Sequence, residues 1–269
     1  MNEIEHAVPP RTRARGTRGD ARPSEVTEVH TRILRLALGI EESRAYWANV
    51  DPAMRAEQRS LTAFEQRWFG AKSLERVRTL LPNFAARYDN YPEALDVLRR
   101  WRSMSPQVRQ IICHWHLQLA DPIYRQFTGV FLIDRRQLVD ARFDRHAILR
   151  WLRAEYRERW GEATVVQFAS KLLSAASEAG LISPKRDPRS LLVPKVADEA
   201  LGYLLHLLRG IDFQGTLVDN PYLASVGLTN GALDQRLRGL RGVTFRRMGQ
   251  LVEFDWAYPS LAAWEEALP

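Results

Sequence analysis

Five arginines, Arg236, Arg238, Arg241, Arg246 and Arg247, stand between Gln235 and Gln250 with no acid among them. A guanidinium presents a planar fork of donors that fits a phosphate or the edge of a guanine, so this stretch has the chemistry of polyanion recognition. The spacing predicts a helix from Thr229, which serves as its cap, with Leu233, Leu237 and Leu240 turned inward. That rotation sends Gln235, Arg238 and Arg241 outward. Arg246 and Arg247 follow on a hairpin, near its tip. Thr229 and Asn230 at the helix start complete the candidate DNA-contacting set.

A second, weaker set lies mid-chain. A helix beginning near residue 164 would show Gln167, Ser170, Lys171 and Ser174 on its outer face, and the basic loop after it carries Lys185, Arg186 and Arg189. Eight arginines fall between Arg135 and Arg159 against four acids, Asp140, Asp144, Glu155 and Glu158. Arg153 and Arg157, four apart on a helix, repel one another unless an anion or a glutamate lies over them.

Other chemistries fit less well. Cys113-His114-Trp115-His116 has metal-ligand residue types. Two helical positions differ by about 200°, however, so His114 and His116 face opposite ways, whereas helical zinc pairs sit four apart. The expectation is no metal, with His114 on the surface and Cys113 packed. The phosphate-cradling, nucleophile-elbow and HExxH patterns are missing, and Asp219, Glu253 and Asp255 have no lysine at nuclease spacing. The chain reads as neither an enzyme nor a cofactor protein.

The elements that would position these residues are mostly helical. Residues 1–23 hold Pro9-Pro10 and five arginines against three acids, and read as a disordered basic tail. Residues 24–132 form an N-terminal helical domain. Its helices are expected at 24–47 and 61–69, then after a Ser73 cap until Pro82 ends or kinks the third, and from Ser105-Pro106 to Asp121-Pro122. The pair around Gly70 resembles a helix-turn-helix. In the 106–120 helix Val108, Ile111, Ile112, Trp115 and Leu119 form the apolar side, with Gln107, Gln110, His114 and Gln118 opposite.

Residues 133–195 give a winged-helix-like order. A helix at 144–159 is followed by a capping box at Thr164-Val165-Val166-Gln167 that opens a second, which ends at Gly180. Short strands follow at 181–182 and 191–193 around the basic loop. Residues 196–269 repeat the order: a helix to Arg209, a short helix from Asn220-Pro221, the Thr229 helix, and a hairpin of residues 243–247 and 251–256. On that hairpin Val243, Phe245, Val252, Phe254 and Trp256 share the inner face. The fold class is therefore mainly α, with two or more winged-helix or helix-turn-helix units and small β-hairpin wings.

Composition agrees with this reading. The 269 residues are 45% hydrophobic and carry a net charge of +7, from 35 arginines and only 4 lysines against 32 acids. A basic balance points to nucleic acid or another anionic surface. One cysteine excludes an intrachain disulfide. Apolar runs stop far short of the roughly 20 residues of a membrane span, so a cytoplasmic protein with no membrane partner is expected.

The order of parts resembles the BrxA-like family of bacterial BREX phage-defence systems. Residues 64–81 look like that family's early helix-turn-helix. Trp160, Thr164, Lys171-Leu172-Leu173 and Glu178-Ala179-Gly180-Leu181-Ile182 are similar to its W-s-x-x-T…K…l-x-E-a-G-l-l stretch, with Gly161 where that pattern has serine. The resemblance runs from about residue 60 to 208. It implies a non-catalytic protein that binds double-stranded DNA beside other defence-system proteins. An RNA-binding, antitermination-like helical factor and a protein-docking adaptor are the alternatives.

Overall fold

The computed structural model describes residues 22–156, 159–184 and 186–268. The basic tail expected at 1–23 therefore lies almost wholly outside the described residues.

The fold is mainly α with two small antiparallel β pairings. The first half is built from α1 (Ile40–Asn49), α2 (Ala56–Glu65), α3 (Leu74–Tyr88), α4 (Pro92–Arg100) and α5 (Pro106–Ala120). Next come α6 (Pro122–Gln126), a π turn, α7 (Leu132–Arg136), strand β1 (Arg142–Phe143), α8 (Arg145–Glu155), α9 (Glu162–Glu178) and β2 (Arg189–Ser190). The last part holds α10 (Asp198–Arg209), α11 (Pro221–Ser225), α12 (Asn230–Arg238), the hairpin β3 (Val243–Met248) and β4 (Leu251–Trp256), and α13 (Leu261–Glu266).

Helix α5 is the axis. Ser105 caps it by accepting from the Val108 amide, and every side chain from Ile111 to Ala120 is buried. It packs against α1, α3, α6, α9 and α10. One apolar core, from Ile33 to Trp264, surrounds it and draws on all three expected segments. The expectation that His114 and Gln118 lie on a wet face fails: both are fully buried. An all-round burial admits polar side chains only if each finds a partner. The His114 Nδ1 lies 2.9 Å from the Tyr124 hydroxyl and its Nε2 2.9 Å from Ser225 Oγ. His116 lies 3.1 Å from the Arg87 carbonyl and 2.6 Å from the Tyr203 hydroxyl. Gln118 donates to Thr128 Oγ1. The side chains that spoil the helix's amphipathic pattern thus tie it to α6, α10 and α11.

The expected helix at 24–47 is instead a strap followed by α1. The strap lies across distant parts of the chain: Asp212 N donates to Pro23 O, Glu25 N to Asp212 O and Val26 N to Leu119 O, while the buried Glu25 accepts from the Tyr222 hydroxyl and pairs with Arg125 at 3.5 Å. Farther on, the carbonyls of Leu36, Ala37 and Leu38 accept from the buried Arg87 guanidinium. Backbone groups committed to such partners cannot close helical turns. Gly39, at φ +64°, then admits α1.

Other local expectations shift for physical reasons. Pro82 does not end α3, which runs to Tyr88. The ring sits on the exposed side, and burial of Phe84, Arg87 and Tyr88 outweighs one missing amide bond. Helix α2 starts at Ala56 rather than residue 61 and ends before Arg67, a non-glycine residue at φ +53°; Leu61 and Phe64 are exposed. Thr164 does not cap α9, because Gly161 holds the N-cap position and Thr164 lies in the first turn. The strands expected at 181–182 and 191–193 reduce to one bridge, Ile182 to Leu191; the longer pairing is β1 with β2, Arg142 opposite Ser190 and Phe143 opposite Arg189. No helix among the described residues is long and apolar enough to cross a membrane.

Candidate nucleic-acid interface

Helix α12 and the β3–β4 hairpin place the C-terminal arginines. Leu233 and Leu237 are fully buried and Leu240 nearly so, which fixes the helix rotation. Gln235 and Arg238, and Arg241 just beyond the helix, are exposed. Among the described residues neither arginine has an ion-pair partner within 4 Å. Arg241 does share a cavity of about 220 Å³ with Asp198 and Glu199. Thr229 holds the N-cap position without a side-chain cap bond, and Asn230 follows at φ +49°; both are exposed.

Two of the five arginines are structural. Arg236 is half-buried, donates to the Val196 carbonyl at 2.8 Å and pairs with Asp198 at 2.6 Å, joining α12 to the start of α10. Arg247 reaches under the hairpin to the buried Asp234, at 3.3 Å, with its guanidinium 5.9 Å from the Phe245 ring centre. The sequence window free of acids thus misleads: Asp234 stands one residue outside it, and Asp198 lies 36 positions before Asp234. The first pair ties α12 to α10, and the second ties the hairpin to α12.

The hairpin register sets Arg246 opposite Glu253 and Thr244 opposite Asp255. Val243 and Phe245 are buried and Val252, Phe254 and Trp256 half-buried, as the period-two pattern requires. The outer face therefore mixes the exposed Arg246 with two carboxylates. At the tip, Met248 and Leu251 are 66% and 55% exposed around Gly249.

The middle set is more dispersed. Gln167, Ser170 and Ser174 are exposed on α9 and Lys171 is half-buried. Arg145 of α8 donates to the Val166 carbonyl and Ser170 Oγ, occupying part of that face. The far end of α9 is held in the body, since Gln110 donates to the Glu178 carbonyl at 2.6 Å and the Glu178 carboxylate accepts from Gly39 N. The exposed positions of α9 therefore run from Glu162 to Ser174. Arg186 is exposed, Arg189 is half-buried and pairs with Asp187 at 3.2 Å, and Lys185 lies outside the described residues. Arg153 of α8 pairs with Glu162 of α9. Arg157 also lies outside the described residues.

No family model matches the chain, and no curated protein does. A crystal structure of an uncharacterized protein from Magnetospirillum magneticum is similar in fold. The TM-score is 0.54, over 68% of this chain and 98% of that one, at 17% identity. At that identity the likeness is one of fold alone.

A cleft of about 730 Å³ adjoins the interface, which the sequence reading missed. It lies between the 216–220 loop, the start of α12 and the inner side of the hairpin, and brings together Asp219, Asn230, Arg247 and Gln250. Its signal in the sequence was faint, since the loop shows only turn-forming residues. Among the described residues no three of His, Cys, Asp and Glu lie where they could share a metal. Burial drives the His114 ring down to about 3, with the nearby Arg136 acting in the same direction, and drives His116 down to about 4. Burial also pushes the Cys113 thiol up to about 11.

Proposed function

We propose that this protein is a non-catalytic, duplex-DNA-binding component of a BREX-like phage-defence assembly, acting in the cytoplasm. The observation that carries the reading is the division of labour among the C-terminal arginines. Arg236 and Arg247 are spent on internal ion pairs, while Arg238 and Arg241 on one side and Arg246 on the hairpin stand exposed with no ion pair within 4 Å among the described residues. Exposed arginines fixed to a helix and an adjoining wing suit phosphates and base edges along a groove. The similarity to the BrxA-like family supplies the defence context.

The carboxylates Glu253 and Asp255 beside Arg246 favour a second reading, in which the hairpin docks on a protein. A mobility-shift titration with duplex DNA and duplex RNA of one sequence separates the possibilities. DNA binding should weaken steeply between about 50 and 200 mM salt. Arg238→Ala/Arg241→Ala should reduce the log–log salt slope by about 1.8, at about 0.9 for each lost phosphate contact. A preference for RNA, or unchanged binding by the folded double variant, refutes the assignment. No shift with either duplex favours protein docking.

A further inference from the structure

A second concentration of guanidinium groups lies far along the chain from α12. A cavity of about 340 Å³ opens between α1, the end of α4 and the start of α5, and Arg44, Arg99, Arg102 and Arg109 line it. Among the described residues only two carboxylates serve these four cations. Glu41 lies 3.3 Å from Arg109 and 3.7 Å from Arg44, and Asp96 lies 3.3 Å from Arg99. Arg102 is exposed and has no ion-pair partner among the described residues. The cavity therefore carries an excess of about two positive charges at a partly enclosed spot.

Its floor is apolar. Trp47, Trp101 and Met104 line it and are each buried. The buried Trp47 indole N–H has no acceptor among the described residues. A buried donor left unpaired is unfavourable, and a ligand oxygen that reached it would relieve that. The volume falls at the lower end of small-molecule sites, enough for one nucleotide and too small for a chain of them. Guanidinium forks match phosphate oxygens, and an apolar floor accepts the flatter, less polar part of the same molecule.

We propose that this cavity binds a free nucleoside phosphate, with Arg99 and Arg102 on the phosphate and the Trp47–Trp101 floor against the remainder. The proposal is independent of DNA binding at α12. Calorimetric titration of the full chain with AMP, ATP and inorganic phosphate at low salt tests it. One nucleotide should bind per chain, more tightly than inorganic phosphate. Arg99→Ala/Arg102→Ala should weaken it about tenfold or more, a change of about 1.4 kcal/mol per tenfold. Both side chains are exposed, so the melting temperature of that variant should match the parent's. Arg238→Ala/Arg241→Ala should leave nucleotide affinity unchanged. Absence of binding, equal affinity for inorganic phosphate, retention by the Arg99/Arg102 variant, or loss in the Arg238/Arg241 variant each overturns the proposal.

Discussion

Mild acid should loosen this protein, and the two histidines at its axis set the amount. Ser225 Oγ–H donates to the Tyr222 carbonyl, so it accepts from His114 Nε2–H, and the neutral ring takes the Tyr124 hydroxyl proton at Nδ1. His116 donates Nδ1–H to the Arg87 carbonyl and accepts from Tyr203 at Nε2. Each ring is satisfied as the neutral form, and a second proton would sit in a dry core facing a hydroxyl hydrogen. Burial therefore depresses the folded values to about 3 and about 4 from an unfolded value near 6.5. With folded values below the unfolded one, the unfolded chain takes up protons first. Stability is full above about pH 6.5 and falls as the pH drops through the window below it. Between pH 7.5 and 5.5 each histidine removes about 1.4 kcal/mol, about 2.7 kcal/mol together. That is a large share of a typical 5–15 kcal/mol. His206, also depressed by burial, adds in the same direction. Urea unfolding followed by circular dichroism at pH 7.5, 6.5 and 5.5 measures the loss. His116→Gln should remove about 1.4 kcal/mol of the loss between pH 7.5 and 5.5 while lowering stability at every pH. A midpoint that stays constant from pH 7.5 to 5.5, or a variant with the full parental pH dependence, would refute the reasoning.

Two further outcomes concern stability. Leu237→Ala removes a fully buried side chain from the face that orients α12, and should cost about 2–5 kcal/mol in a denaturant titration. A loss below about 1 kcal/mol would mean the leucine does not set the helix rotation. Arg87→Met leaves the carbonyls of Leu36, Ala37 and Leu38 without their donor and should cost at least about 3 kcal/mol; near-parental stability would show that the strap is held by its apolar contacts alone.

Where a local rule decides the structure, the sequence was legible. Ser73, Ser105 and Asn220 accept from the amides three residues on, and alternation on β3 and β4 predicts which side chains go inside. Gly180, at φ +74°, ends its helix because a side chain there would be strained. The strap was illegible, because its backbone groups bond to residues near 119 and 212 that no window of neighbours contains. His114 and Gln118 looked like a polar face for a related reason: besides Tyr124 and Thr128, ten residues on, each has a partner, Ser225 and Pro221 respectively, more than 100 positions away. At the candidate interface the leucine spacing gave the orientation of Arg238 and Arg241. It could not show that Arg236 is spent on Asp198, since charge pairing across 38 residues leaves no periodic trace.

The strap has a consequence for how the molecule is made. Ser24 bridges Asp212, and the Glu25 carboxylate accepts from the Tyr222 hydroxyl, so the earliest described residues are completed by some of the latest. At about 5–20 residues per second a ribosome needs about 10–40 s to bring residues near 212–222 out after the strap. Through that interval Glu25 lacks its Tyr222 hydrogen bond, and for the first half of it its Arg125 partner as well. A nascent chain stalled before residue 222 would therefore stay incompletely closed and exposed to chaperones and proteases, and its final compaction follows the synthesis of the C-terminal segment rather than the order of the helices.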